Sequence, residues 1–395
     1  MNAVCLREDW IMGTQSTIRV LHLFSNSKWT GPAEPVVNLC AALRNRGVQV
    51  VFACAPAAGS GYNKVQAMAR ARGMEPLGFL HLHKHRRPFK NWSDVRLLRR
   101  YLNSTTFDLI HCHLDNDTEI ALSAVSGKAL PVVRSSYEGA GFPDDRRHRY
   151  FMKMCSAVIE PSQKARQTDV SRFHVAPEKL YVVNAAVDTE RFNPARSLPD
   201  MRGTLDIPAA AFVYGIVARL QTHRHYEDLF TAFAGLVKEG RNVRLMVIGR
   251  GTRQEQVAFE PVKALGLEDA VHFTGYLDGD DYVGALAGMD AGLFLTPGTD
   301  GTCRAVREIM AMGKPMITSN RGMLAEIVTH ETDGLVTDGS PGALQTAMRL
   351  LCENTALRQS YGVAARETAQ TRYGMNQYAE AVLDVYRNII GRPVL

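Results

Sequence analysis

Apolar residues fall in short runs along this chain, separated by stretches with helical spacing, and the alternation occurs twice over. IRVLHLF (18–24) is apolar and branched, as a strand covered on both faces requires. The polar loop SNSKWTGP follows. AEPVVNLCAALRNRG then sets Val36, Leu39, Cys40 and Leu43 on one helical face, and Gly47 ends the helix. VQVVFACAP is the next strand, which completes a βαβ unit. DLIHCH (108–113), PVVRS (131–135) and SAVIEPS (156–162) predict three more strands with helices between them.

The second half repeats the pattern. AFVYGIVARL (211–220) predicts a buried strand, QTHRHY a loop and 227–239 a helix; VRLMVIG (243–249), VHFTGY (271–276) and AGLFLTP (291–297) predict further strands. MRGTLDIPAA (201–210), with its Asp, Pro and Gly breakers, reads as the linker between two doubly wound sheets. Ligands of such sheets sit at the carboxyl ends of the strands. Two facing sheets therefore place the active site in the cleft between them.

Composition narrows the class. At about 100–200 residues per domain, 395 residues predict two or three domains, and 46% hydrophobic residues can fill their cores. No run of about 18 apolar residues predicts a spanning helix. The opening MNAVCLREDWIMGTQST lacks a basic-then-apolar leader and holds a second candidate start at Met12, so a cytoplasmic protein is expected. The seven cysteines are scattered without a C-x-x-C and read as reduced thiols. HLHKH (81–85) and HCH (111–113) lack the H-E-x-x-H pattern, and no metal site is assigned to them.

Charge separates the halves. Residues 1–195 hold 26 Lys/Arg and 17 Asp/Glu, a net of +9; residues 196–395 hold 20 and 23, a net of −3. The excess concentrates in KHRRPFKNWSDVRLLRR (84–100), where Phe89 and Trp92 stand among the charges, and in RRHR (146–149). Such a patch suits an anionic partner. Val95, Leu98, Tyr101 and Leu102 lie on one helical face, which equally fits a surface helix docked by that face with its arginines in solvent.

The first turn holds one glycine before Pro32, not G-x-G-x-x-G, and no Walker A sequence occurs, which argues against NAD enzymes and P-loop ATPases. The lone G-x-G of IGRGTR (248–253) reads as a tight turn. Arg219 at a strand end and Arg224 just before a helix could form paired hydrogen bonds to a diphosphate, or could simply pair with Glu227 and Asp228. In TPGTDGTCRAVREIMAMGKPMITS (296–319), Asp300 precedes a helix predicted from about Cys303 to Met312, and Glu308 lies two turns within it. Carboxylates so placed could hold sugar hydroxyls while the free amides hold phosphate.

These segments, in this order, resemble the retaining GT-B glycosyltransferases of family 4 over nearly the whole chain. FDLIHCH (107–113) is similar to the family's D-x-x-H-x-H, and AAVDTERFNP (185–194) to its N-G-V-D-x-x-x-F-x-P. RLQTHRH (219–225) matches R-L-x-x-x-K-G, and VHFTGYL the F-x-G-x strand and loop. Asp300 to Glu308 with AMGKPMI matches E-x7-E followed by A-x-G-K-P-V-I, and MNQYAEAVLDVYRNII looks like the closing helix that crosses back to the first domain. The resemblance implies two Rossmann-like, doubly wound parallel sheets with the active site between them. Residues 1–17 would be an extension, 18–198 the acceptor domain, 199–375 the nucleotide-sugar donor domain and 376–395 the returning helix.

The resemblance also implies roles. Arg219 and Arg224 would hold the donor diphosphate and neutralise its charge as the glycosidic bond breaks, helped by backbone amides of Thr302, Cys303 and Arg304. Glu308 would bind ribose hydroxyls, Asp300 the transferred sugar, and His113 would lie under that sugar. Gly31 would let backbone approach the phosphates, and Tyr276 would border the base. No metal or other cofactor is implied. The partners would be a nucleotide sugar and a saccharide or glycolipid acceptor, with docking through 84–100 on the inner face of an anionic membrane and no nucleic acid. Asp300 replaces the family's Glu, Arg224 its Lys, His225 its Gly, Thr302-Cys303 its Phe-Gly and Ala185-Ala186 its Asn-Gly; Pro32 stands where a second glycine is common. Most of these changes fall near the donor pocket. The competing readings are a GT-B nucleotide-sugar 2-epimerase, which would isomerise a donor without an acceptor, and a non-catalytic nucleotide-sugar binding protein.

Overall fold

The computed structural model describes residues 17–29, 31–57, 61–297 and 303–391. The first sheet is built of β1 (Arg19–Phe24), β2 (Gln49–Cys54), β3 (Leu109–Cys112), β4 (Val132–Ser135), β5 (Ala157–Glu160) and β6 (Leu180–Val182). Its spatial order is β2-β1-β3-β4-β5-β6, every pair parallel. The second comprises β7 (Phe212–Val217), β8 (Val243–Ile248), β9 (Val271–Gly275), β10 (Ala291–Phe294), β11 (Met316–Ser319) and β12 (Gly334–Thr337). Its order is β12-β11-β10-β7-β8-β9, again all parallel. Nine of these strands sit where the apolar runs predict them, and β6, β11 and β12 are additional. Parallel strands covered by helices on both faces have no polar face to alternate, and their continuous apolar runs follow from that.

Each sheet changes winding direction once, between β1 and β3 in the first and between β7 and β10 in the second, which is where such sheets open a crevice. In the first lobe Asp117 ties this crevice together. Its carboxylate accepts the amide of Ser25 after β1 (2.7 Å) and those of His113 (3.1 Å) and Leu114 (2.9 Å) after β3. Burial pushes its pKa up to about 6.

The segment 201–210, expected as a linker, is packed into the second lobe. Asp200 caps a short helix, Met201–Thr204, and Met201 and Ile207 are buried against Met246, Leu286 and Met289. Arg202 donates to Gly288 O and Asp290, which fastens the segment to the loop before β10. The Asp, Pro and Gly pattern marks a break in regular structure, not a free tether.

Among the described residues, contacts join the lobes at several places. Helix Met375–Ile390 leaves the second lobe and buries Tyr378, Val382, Leu383 and Tyr386 against Leu39, Leu43, Val20 and Val133 of the first. Glu326 accepts the amides of Gln163 (2.7 Å) and Lys164 (2.9 Å) at the start of helix Gln163–Phe173, where a carboxylate also meets the positive end of the helix dipole. Glu34 of helix Ala33–Arg44 takes Arg304 (2.8 Å) and Arg191 (3.3 Å) at the mouth of the cleft. Among the described residues, no helix is long and apolar enough to cross a membrane.

Candidate active site

A cleft of about 1320 Å³ lies between the lobes, with walls drawn from both crevices. On the second-lobe side, Arg219 follows β7 and is exposed into the cleft, with no side-chain partner among the described residues. Arg224 closes a short 3-10 turn, Thr222–Arg224; it is nearly buried and donates to Thr296 O after β10 (2.7 Å). One guanidinium thus clamps together the two loops that bound the crevice. His225, in the family's glycine position, adopts a left-handed backbone (φ 58°) to turn the chain into helix Tyr226–Lys238. Cys303, the second residue in place of a glycine, is also left-handed (φ 49°) and stands at the N-cap of helix Arg304–Ala311, which starts within one residue of where the sequence predicts it. Both substitutions keep the backbone that glycine adopts most easily, at the steric cost a Cβ brings there.

Glu308 is buried in helix Arg304–Ala311. Its Oε2 accepts from the Tyr282 hydroxyl (2.5 Å) and its Oε1 pairs with Arg304 Nε (3.1 Å). The carboxylate is thereby fixed at the cleft wall with lone pairs left to accept further hydroxyls. Arg304 bridges it to Glu34 of the first lobe. Tyr276 follows β9 and stays 62% exposed, with the Arg250 guanidinium 5.3 Å above its ring. That stack forms a flat edge beside the cleft. Asp300 and Thr302 lie outside the described residues.

The first-lobe wall is less like the expectation. Gly31 and Pro32 make the turn into helix Ala33–Arg44 and line the cleft as expected. His113 does not line it. The ring is fully buried, its Nδ1 bonded to the Tyr137 hydroxyl (2.9 Å) and its Nε2 to His22 Nδ1 (3.0 Å), and Tyr137 is the side chain that reaches the cleft. Burial, with His111, His22 and Arg134 nearby, drives its pKa far down, so the ring is neutral. The sequence motif gives the position of His113 but not the tyrosine that covers it. Lys84, His85 and Arg86, part of the basic stretch, also line this wall rather than facing away. The remainder forms helix Pro88–Ser104, with Leu98 buried as predicted. Asp94, the one acid in the stretch, is buried and accepts the amides of His81 (2.8 Å) and Leu82 (3.0 Å), which holds the loop before the helix.

Further functional positions escaped the sequence reading. Gly249 (φ 140°) and Gly251 lie against the loop that carries Arg219: a Cβ on them would come within 2.2 Å of Ala218 O and 2.0 Å of Leu220 O. The G-x-G of 248–253 is therefore a close-approach pair, and its spacing after a strand was the available signal. On the first-lobe wall, His148 sits between Asp115 and Asp145, and Arg134 and Arg147 pair with Asp115. Burial resists charging of His148, but hydrogen bonds and attraction from Asp115, then Asp145, raise its pKa above the usual value. Among the described residues, two groups have the composition of metal sites, His22 with His111 and His113, and His225 with Glu227 and Asp228. The nitrogens of the first group are all engaged in hydrogen bonds. In the second, His225 Nδ1 is bonded to Asp228 (3.1 Å).

Two doubly wound parallel sheets that face each other across a cationic, carboxylate-edged cleft, with a last helix returning to the first lobe, define the GT-B fold. Residues 30–191 match the family model Glycosyltransferase Family 4, and residues 199–368 match Glycosyl transferases group 1. The chain belongs to this glycosyltransferase family. It is 32% identical over 197 residues to a lipopolysaccharide core biosynthesis glycosyltransferase, LpsD, of Rhizobium meliloti, covering 49% of this chain and about half (55%) of that protein. A GDP-mannose-dependent alpha-mannosyltransferase of Mycolicibacterium smegmatis is 31% identical over 247 residues, 62% of this chain and 60% of that one. Among solved structures, HepE of Anabaena in complex with UDP and glucose superposes with a TM-score of 0.75 at 18% identity, over 93% of this chain and 99% of that one. At that identity the likeness speaks for the fold.

Proposed function

We propose that the chain is a retaining, metal-independent hexosyltransferase that moves a sugar from a nucleotide-diphosphate sugar to a saccharide or glycolipid acceptor in cell-envelope polysaccharide synthesis. The observation that carries this reading is the grouping at the second crevice: exposed Arg219, the loop-clamping Arg224, buried Glu308 and the start of helix Arg304–Ala311 around one cleft. Arg219 and Arg224 would hold the diphosphate and stabilise the negative charge that grows on it as the sugar leaves. Removing one preorganised donor aimed at developing negative charge typically costs about 2.7–4 kcal/mol. Glu308, held by Tyr282 and Arg304, would accept ribose hydroxyls, and Tyr276 with Arg250 would flank the base. The two arginines and the helix terminus supply the charge neutralisation that a divalent ion would otherwise provide, so transfer should survive a chelator. The lipopolysaccharide relative supports an envelope saccharide as acceptor.

Docking on the inner face of an anionic membrane is part of the same reading. Phe89 (90% exposed) and Trp92 (65%) stand beside Lys90 and Arg96 on helix Pro88–Ser104, a composition suited to headgroups. Binding to anionic vesicles at low salt, lost at high salt, is the expected result.

The deciding experiment is thermal unfolding with UDP-, GDP-, ADP- and TDP-sugars, repeated on Glu308→Ala. A donor at about 100 times its dissociation constant should add roughly 2.7 kcal/mol of stability. One nucleotide class should shift the melting of the wild type and not of the variant; no shift with any donor would overturn the donor reading. The anomeric configuration of the product tests retention.

A further inference from the structure

Tyr137, His113, His22, Tyr386, His111 and Ser135 form one unbranched chain of hydrogen bonds through the first lobe. Tyr137 OH meets His113 Nδ1 at 2.9 Å, His113 Nε2 meets His22 Nδ1 at 3.0 Å, and His22 Nε2 meets Tyr386 OH at 3.4 Å. Tyr386 OH then meets His111 Nδ1 at 2.6 Å, and His111 Nε2 meets Ser135 Oγ at 2.7 Å. All six are buried, Tyr137 alone of them lines the cleft, and Tyr386 belongs to the helix that returns from the second lobe. Burial holds all three imidazoles neutral, pushing His22 down to about 3 and His111 and His113 far below their usual value.

A neutral imidazole has one donor and one acceptor nitrogen, so each ring passes on the direction of its neighbour. If Tyr137 donates to His113 Nδ1, then His113 Nε2–H donates to His22, His22 Nε2–H to Tyr386, Tyr386 O–H to His111 Nδ1, and His111 Nε2–H to Ser135. All three histidines are then Nε2–H tautomers, and Tyr137 shows the cleft only its lone pairs. In the opposite sense Ser135 donates to His111, all three are Nδ1–H tautomers, and the proton of Tyr137 points away from His113 and is available to the cleft. Opposed tautomers of His113 and His22 would set two N–H groups or two lone pairs against each other, and opposed tautomers of His22 and His111 would leave the Tyr386 proton or one ring lone pair unmatched; both are costly in a dry interior.

We propose that Tyr137 is a sugar-binding residue of the first lobe, and that a tautomer shared by His113, His22 and His111, relayed through Tyr386, sets whether its hydroxyl donates to or accepts from the ligand. The three histidines and Tyr386 are positioning residues, and the switch moves no net charge. This rests on the reading that the cleft binds a nucleotide sugar, and the test separates the two.

The first arm uses ligand-free, full-length protein labelled with 15N-histidine, in which long-range imidazole spectra report each tautomer. The wild type should show one tautomer, or one pair of interconverting senses, common to all three rings. Tyr137→Phe removes the partner of His113 Nδ1, and an orphan lone pair costs less than an orphan N–H. That variant should drive all three to Nε2–H, His111 included. Ser135→Ala removes the partner of His111 Nε2 and should drive all three to Nδ1–H, His113 included. Mixed tautomers in the wild type, a protonated ring, or a far histidine indifferent in both variants would overturn the relay.

The second arm adds UDP-glucose against UDP, and GDP-mannose against GDP. The sugar-bearing ligand should shift the three histidine signals where the bare diphosphate does not. Tyr137→Phe should lower kcat about tenfold with KM nearly unchanged, since the diphosphate is held by the other lobe. Equal signals with sugar and bare diphosphate would remove the sugar as Tyr137's partner. Failure of every nucleotide sugar to bind, with the common tautomer intact, would overturn the donor reading and with it the sugar assignment, while the relay would stand.

Discussion

Beneath the cleft, the central strands of the first lobe carry His22 and His111 with Arg134, all buried, and His113 follows directly. The matching strands of the second lobe, β7, β10 and β11, carry no histidine or arginine; their buried polar groups are the hydroxyls of Tyr214, Thr318 and Ser319, and the cations Arg219, Arg224 and Arg250 stand in the loops beyond the strand ends. The same topology therefore sets histidine and arginine within its central strands on one side and keeps them at the strand ends on the other. Groups on a rim keep their charge and can meet phosphate directly. The three histidines of the first lobe are held neutral by desolvation and act on the cleft through what covers them, here Tyr137, while Arg134 meets the cleft beside its partner Asp115. Both walls present charge, and the first lobe adds beneath its wall a set of neutral rings that fixes hydrogen-bond direction.

The sharpest way to break this comparison is to remove a rim charge. Arg224→Met should cut transfer by about 100-fold or more, with a larger loss than Tyr137→Phe on the opposite wall. Equal losses in steady-state assays would mean that the two walls do not differ as described. Next in size is the backbone that carries the rim. Gly251→Ala puts a Cβ 2.0 Å from Leu220 O and should destabilise by roughly 1–3 kcal/mol in denaturant unfolding, while the donor-induced melting shift falls with displacement of Arg219.

Titration separates the interior histidines from the one on the wall. By NMR, His22, His111 and His113 should stay neutral from pH 8 to 5, whereas His148 should titrate above its ordinary value. The sign for His148 follows from its raised pKa: its stabilisation is full below the unfolded value of about 6.5 and is lost as pH rises through the folded one. The stability difference between wild type and His148→Gln should therefore shrink on going from pH 6 to 8. The smallest effect is expected at the bridge between the walls. Glu34 is mostly shielded but its partners Arg304 and Arg191 are a third or more exposed, so Glu34→Gln should cost less than about 1 kcal/mol in unfolding. Its consequence should appear in the KM for donor, because Arg304 also holds Glu308.

How much of the site was legible follows the same division. Arg219, Arg224, Cys303, Arg304, Glu308 and Tyr276 belong to segments in which a strand end, a turn and a helix start are contiguous, so their place at the cleft could be read locally. Gly249 and Gly251 were visible as a spacing but not as a close approach, because the backbone they face, 218–220, is brought there by strand pairing. His113 was recognised by its motif, yet its covering by Tyr137 depends on how the loop after β4 folds over β3. Reading 201–210 as a linker failed because Asp, Pro and Gly signal turns equally well in packed and free segments.

The sequence by itself determined the two rounds of strand and helix, their parallel pairing class and the cationic and acidic groups at the strand ends, because hydrophobic period and turn chemistry act over a few residues. Tertiary structure alone decided which side chains meet. Glu34 and Arg304 lie 270 positions apart and Tyr386 and His22 are separated by 364, and each pair touches only because the last helix and the two lobes pack together. Tertiary structure also decided charge state: a histidine is polar in any sequence, and only the apolar surroundings that three distant segments create around His22, His111 and His113 make it a neutral link in a directed chain.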